Sequence, residues 1–306
     1  MITFDNTEIA FSIRTDAELR RARLLYKLIS LPWLVKLGNS MISFMASVGL
    51  PVNWIVKPTV YKQFVGGETI SECIPVVQKL AAKGVKSILD YSVEGKEEDD
   101  DIELALEETL RAIDFAGKNP DVPFAVFKPT AFIRSGSLEI LGSGATEIPA
   151  AVQADGNKFR ERINRLCMAA LERGLPIMID AEDVVFQNFI DKVVYEMQKK
   201  YNTDKPVVYN TYQMYRRDRL DILKEDYARA LKEGFYLGAK FVRGAYMERE
   251  RARAEKLGYP DPIHPDKAAT DKAYNDALAF SLQHLDRISI FNGTHNEYSS
   301  SWLAGL

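Results

Sequence analysis

A chain of 306 residues with 46% hydrophobic and 27% charged content has enough apolar surface for a sizeable core, which excludes a disordered or fibrous protein. Its net charge of −3 and pI near 5.8 give no general pull toward nucleic acid or anionic lipid, so small molecules are the expected partners. Cys73 and Cys167 lie far apart on helical stretches and read as packed thiols in a reducing compartment; His264, His284 and His295 lack paired-ligand spacing, so no metal is expected.

The N-terminus mixes Asp16 and Glu18 with its arginines and has no basic-then-apolar start, unlike a secretory or transit peptide. Residues 1–65 read as a helical arm, amphipathic from Arg14 to Lys27 and apolar from Trp33 to Val56 with a break at Pro51. Pro32, Lys36, Gly38, Asn39 and Pro51 interrupt residues 28–56 before they could span a bilayer. Burial over the following domain is the plainer role for this stretch, and docking on a membrane the other.

From residue 66 onward helix and strand alternate. Six short apolar runs end on a polar or charged residue: Ser87–Asp90, Phe124–Lys128, Ile177–Asp180, Val207–Asn210, Ala239–Arg243 and Ile288–Asn292. Runs this short fit parallel strands covered on both faces, whose carboxyl ends are where ligands bind. Gly84, Gly174 and Gly234 follow Lys83, Arg173 and Lys232-Glu233 and should stop their helices in the left-handed conformation. Phe159, Ile163, Leu166, Cys167, Ala170 and Leu171 make a buried stripe, while Glu97 to Asp101 reads as a solvated helix start. Ser135 to Ala150, rich in glycine and serine, is expected to be a mobile loop, and Gly258 to Pro265 irregular. No glycine-rich phosphate turn follows the first strand, which favours a (βα)8, TIM-barrel-like α/β fold over an open dinucleotide-binding sheet. About six of the eight strands can be counted before Leu306.

Chemistry is expected at the strand ends. Asp180 could orient a cationic amine or cap the next helix. Lys128, on an apolar strand before Pro129, needs a counter-charge: a ligand carboxylate, or Asp90 or Asp180. Alternation puts Lys240 and Val242 on one face and Phe241 and Arg243 on the other. The two cations suit an anionic ring or phosphate that Gly244-Ala245 would let approach. Tyr246 could close over a ligand or cap the site with a solvated hydroxyl. Gln213 offers a donor and an acceptor to a ring edge or to solvent. Asn292 to Asn296 is either ligand-binding or a self-satisfied polar turn.

Taken together, Leu89 to Glu94, Phe127 to Ala131, Asp180-Ala181-Glu182, Tyr212 to Tyr215, Lys240 to Tyr246 and Gly293-Thr294-His295-Asn296 resemble, in order, the motifs of the proline dehydrogenase family. The resemblance implies a distorted barrel over residues 66–306 that binds FAD, oxidises L-proline to Δ1-pyrroline-5-carboxylate and passes electrons to a quinone. It makes Asp180 and Lys240 catalytic, Lys128 and Tyr246 substrate-binding, and Ala181, Gln213, Val242, Arg243, Gly244, Thr294 and His295 cofactor-binding. A cytoplasmic protein is expected, with peripheral contact at the inner membrane face as one option. Lys240 stands where the family often has arginine, which keeps the charge and loses the guanidinium fork. The family's carboxylate-binding arginine pair follows an eighth strand, so the chain is expected to be C-terminally truncated and could be inactive as it stands. Tyr215-Arg216-Arg217 follows the fourth strand and is not assigned that role. The alternatives are a non-catalytic family member that binds flavin or a partner chain, and a Schiff-base lyase using Lys128.

Overall fold

The computed structural model describes residues 4–49, 59, 61–91 and 95–305. Ser92-Val93-Glu94 of the first motif and the expected break at Pro51 lie outside them. Contacts divide the chain into two compact units, one reaching to Lys86 and the other starting at Ser87.

The first unit is helical: α1 (Thr7–Ala10), α2 (Asp16–Ile29), α3 (Pro32–Ser47), α4 (Lys62–Phe64) and α5 (Ile70–Ala81). Helix α2 starts on a capping box: the Thr15 hydroxyl accepts the Glu18 N–H, and the Glu18 carboxylate accepts the Thr15 N–H at 2.7 Å. No single described helix is long and apolar enough to cross a membrane.

The second unit runs α6 (Asp99–Gly117), β1 (Ala125–Phe127), α7 (Ser135–Gly142), α8 (Ala150–Glu172), β2 (Ile177–Ile179), α9 (Val184–Tyr201), β3 (Val208–Gln213), α10 (Arg219–Glu233), β4 (Leu237–Val242), α11 (Met247–Leu257), α12 (Lys267–Leu282), β5 (Ile288–Gly293) and α13 (Glu297–Ala304). The strands form one parallel sheet in the order β1-β2-β3-β4-β5. Gly174 and Gly234 adopt φ values of 62° and 81° at the helix ends where the chain turns toward β2 and β4.

Two expectations change. Ser87–Asp90 forms a single bridge, Leu89 to Ala125, so the described residues hold five strands and not six. Its neighbour β1 is only three residues long and has Pro123 and Pro129 on either side, which leaves little ladder to extend. Ser135–Gly142 is helical: burial of Leu138 and Leu141 outweighs the low helix propensity of Ser135, Gly136 and Gly142.

The sheet has two distinct faces. On one, Tyr212, Phe241, Ala239 and Leu237 pack with Leu223 of α10 and with Tyr274, Ala277 and Leu278 of α12. On the other, Val126, Met178 and Tyr209 pack with Ile88, Phe124 and Phe291. In a flat sheet β1 and β5 would stand about 19 Å apart, four strand spacings. The rings of Phe124, just before β1, and Phe291, in β5, nevertheless lie 5.2 Å apart. The sheet therefore curls around this second face, as a barrel wall does. Gly238 makes room inside the curl: a Cβ there would meet Tyr209 Cγ at 2.8 Å, and the Tyr209 hydroxyl bonds Ser289 on the next strand but one at 2.7 Å.

Candidate active site

Strand register dictates which side chains share a level. Val126, Met178, Tyr209, Gly238 and Ser289 are successive partners across the sheet. One residue pair further on, the same face carries Lys128, Asp180, Thr211, Lys240 and Phe291, and above them Gln213, Val242 and Gly293. Lys128 precedes proline and is held extended (φ −99°, ψ 126°), so it prolongs β1. Asp180 prolongs β2, its N–H donating to Phe127 O at 3.0 Å.

The second level is an ion cluster. Lys240 Nζ donates to Asp180 Oδ1 at 2.5 Å, and Lys128 Nζ stands 3.6 Å from Asp180 Oδ2. Asp180 thus faces both ammonium groups, one through each carboxylate oxygen. Thr211, between Asp180 and Lys240 in strand order, is buried and its hydroxyl has no partner. Asp180 does not cap the next helix: Asp183 occupies that place without a side-chain bond, and Glu250 of α11 accepts the first helical N–H, that of Val184, at 2.8 Å.

A cleft of about 690 Å³ adjoins the cluster, lined among others by Arg243, Gly244, Gly293, Thr294 and His295. The two are neighbours, since a Cβ on Gly293 would lie 3.7 Å from Lys240 Cε. Arg243 is firmly held: it donates to Asp271 (2.9 Å), Thr294 (2.7 Å) and Ser299 (2.8 Å) and lies 3.6 Å over the Tyr274 ring. His295 is exposed. Tyr246 lies under the Arg249 guanidinium, 4.7 Å from its ring, beside a second opening that also holds Gly244 and Ala245.

Gln213 and Ala181 take different positions from these. Gln213 is 1% exposed and its amide donates to Glu182 O (2.7 Å) and the Tyr215 hydroxyl (2.8 Å), so it ties protein segments together. Ala181 is buried behind Asp180. Arg216 is also buried and pairs with Asp218 at 2.6 Å.

Residue spacing gave no warning of Glu182, which is 4% exposed and joins three rim segments. Its carboxylate accepts the Thr130 N–H (3.1 Å), its carbonyl accepts Gln213, and its N–H donates to Gln187 (3.0 Å). Gln187 in turn donates to Asp191, which Asn210 also bonds and which pairs with Arg219 at 2.7 Å. Burial would raise the Asp191 carboxyl, but Arg219 and these hydrogen bonds hold it below the ordinary carboxylate value. Among the described residues no cluster of histidine, cysteine and acidic side chains could hold a metal.

The Proline dehydrogenase family profile matches residues 73–306. The chain is 34% identical over 238 residues to the carbapenem antibiotics biosynthesis protein CarD of Pectobacterium carotovorum subsp. carotovorum, covering 77% of this chain and 61% of that protein. It is 29% identical to mitochondrial proline dehydrogenase 1 of Dictyostelium discoideum over 96% of this chain and 59% of that one. It thus spans about three-fifths of the length of these two relatives. In fold it is similar to proline utilization A from Bdellovibrio bacteriovorus, with a TM-score of 0.72 at 17% identity, covering 97% of this chain and 32% of that one. A parallel sheet curled around an ion cluster at its carboxyl rim, and a profile match over most of its length, place this chain in the proline dehydrogenase family.

Proposed function

We propose that the chain oxidises L-proline to Δ1-pyrroline-5-carboxylate in proline catabolism, with FAD as the hydride acceptor and a quinone as the final oxidant. The observation that carries this reading is the level shared by Lys128, Asp180 and Lys240, next to the cleft at Arg243, Thr294 and His295. Lys128 offers its ammonium to the proline carboxylate, and Asp180 an acceptor to the ring amine. The hydrophobic floor of Phe291, Tyr209 and Met178 keeps water from that side of the cluster. Tyr246 borders the amino-acid ring.

The donor set suits a flavin: Lys240 beside the cluster, the unpartnered Thr211 hydroxyl, and Arg243, Thr294 and His295 along the cleft. Gly244 (φ 60°) leaves backbone open to it, while Gly293 packs closely against Val242 of β4 at the same level. Gln213 and Ala181 shape the wall, Gln213 by holding Glu182 in place. When bound, FAD supplies the two-electron acceptor for the proline C–H bond, and the chain supplies placement and charge.

Reoxidation by a quinone calls for contact with a membrane surface. Residues 19–67 contain no aspartate or glutamate but include Arg20, Arg21, Arg23, Lys27 and Lys36. On α3, Trp33, Leu37, Met41 and Phe44 recur at helical spacing and are 63%, 58%, 49% and 65% exposed. An apolar, Trp-bearing helix next to a basic one suits the headgroup region of an anionic bilayer. On this reading the protein is cytoplasmic and docks peripherally at the inner membrane face.

Anaerobic titration of the FAD-loaded protein with L-proline tests the activity. Bleaching of the oxidised-flavin absorbance band is the expected result. Flavin retained without bleaching would assign a non-catalytic binding role, and trapping of a keto substrate on Lys128 by borohydride would assign lyase chemistry; either overturns the proposal.

A further inference from the structure

Helix α11 begins right after Tyr246, and two of its consecutive residues reach across to the segment that follows Asp180. Arg249 pairs with Asp183 while its guanidinium covers the Tyr246 ring. Glu250, 2% exposed, accepts the Val184 N–H at 2.8 Å through Oε1, and its Oε2 is buried without a partner. A buried carboxylate with half its acceptors unused is an expensive way to satisfy one amide. Burial and the nearby Asp183 raise its carboxyl above the ordinary value, against the Val184 N–H, Arg216 and Arg249. Solvent could serve the first N–H of α9 at no such cost, as it does for most helix starts.

We propose that Glu250, assisted by Arg249, is a positioning residue that clasps the Asp180–Val184 segment to the Gly244–Tyr246 segment, fixing the distance between the acid and the aromatic wall of the substrate pocket. The contact joins two turns that strand pairing leaves independent, since β2 and β4 are separated by β3. The third turn is already linked to both: Gln213 donates to Glu182 O, and the Tyr215 hydroxyl shares a hydrogen bond with the Tyr246 backbone. Glu250 closes this ring of contacts around the rim. A methyl side chain at 250 cannot reach Val184, whereas glutamine keeps the acceptor oxygen in place.

The inference rests on the proline dehydrogenase reading for its kinetic consequence and is independent of it for its structural one. Amide hydrogen exchange on the full chain is the primary test. In Glu250→Ala, exchange over residues 181–187 and 244–247 should quicken together by about tenfold or more, as local opening of both turns becomes easier. In Glu250→Gln both should return to within about threefold of the parent. In the FAD-loaded protein the alanine variant should raise KM for proline about tenfold with kcat changed far less, and glutamine should restore it. Asp183→Asn removes the companion ion pair and should loosen the same two segments to a lesser degree, which keeps the test open if Glu250→Ala does not fold. Unchanged exchange in either segment, or a glutamine variant as loose as alanine, overturns the clasp. A parent protein that never oxidises proline defeats the functional reading and leaves the exchange result to decide this one.

Discussion

Replacing Asp180 by asparagine tests the ion cluster directly. Asp180, Lys128 and Lys240 have side chains only 17%, 18% and 14% exposed, so solvent does not screen them as it would a surface pair. Asp180→Asn keeps the shape and removes the carboxylate that both ammonium groups face. Stripping a buried ion of its partner costs roughly 3–5 kcal/mol, and the residual exposure of all three places the expected loss near about 3 kcal/mol. Lys240→Met removes the cation that bonds Asp180 at 2.5 Å, so the double variant should recover part of that loss. The coupling energy in the cycle is expected at about 1–3 kcal/mol. Urea unfolding of the four proteins, compared at their midpoints with slopes held in view, measures it. Single-variant effects that add to within about 0.5 kcal/mol would show that the two side chains do not share a level, and the argument from strand register would fail.

Three other outcomes follow from the same contacts. The folded Glu250 carboxyl titrates above its ordinary 4.5, so as pH rises through that value the unfolded chain releases the proton first and stability falls; Glu250→Gln should therefore match the parent at about pH 4 and exceed it at about pH 7 in urea melts, and the reverse order would refute the assignment. Gly238→Ala puts a Cβ 2.5 Å from Val208 O and 2.8 Å from Tyr209 Cγ, and should cost about 1–3 kcal/mol by overpacking in the same assay. Arg219→Ala strands Asp191 and should cost about 3–5 kcal/mol, and Arg219→Lys should recover little, because a lysine cannot reproduce the two parallel bonds of 2.7 and 3.2 Å, as thermal melts of both will show.

The inner face of the sheet was legible because the period of a strand is two and its ends are marked by composition. Lys128 and Asp180 each close an apolar run, Lys240 interrupts one, and the parallel register brings the three to one height. The first run, Ser87–Asp90, reads like the others but lies beside a partner of only three residues, and pairing depends on a neighbour that sequence pattern does not count. The glycine and serine content of Ser135 to Ala150 suits a loop, but in the fold the missing side chain of Gly142 lets helix α7 approach Val185 O, which a Cβ would meet at 1.9 Å. Gln213 has a donor and an acceptor that suit a ring edge or solvent, and only the positions of Glu182 and Tyr215 show that its amide bonds these two. Glu182, Glu250 and Arg219 stayed hidden because charged residues on helices and turns are usually solvated, and their burial depends on elements distant in sequence.

The aromatic floor of Phe124, Tyr209 and Phe291 has an electrical consequence. Hydrocarbon below and water above form a dielectric step, so the field of the Lys128, Asp180 and Lys240 charges is refracted outward through the mouth of the curl. An approaching charged ligand would sense them along one axis only, as an antenna with a single direction of reception.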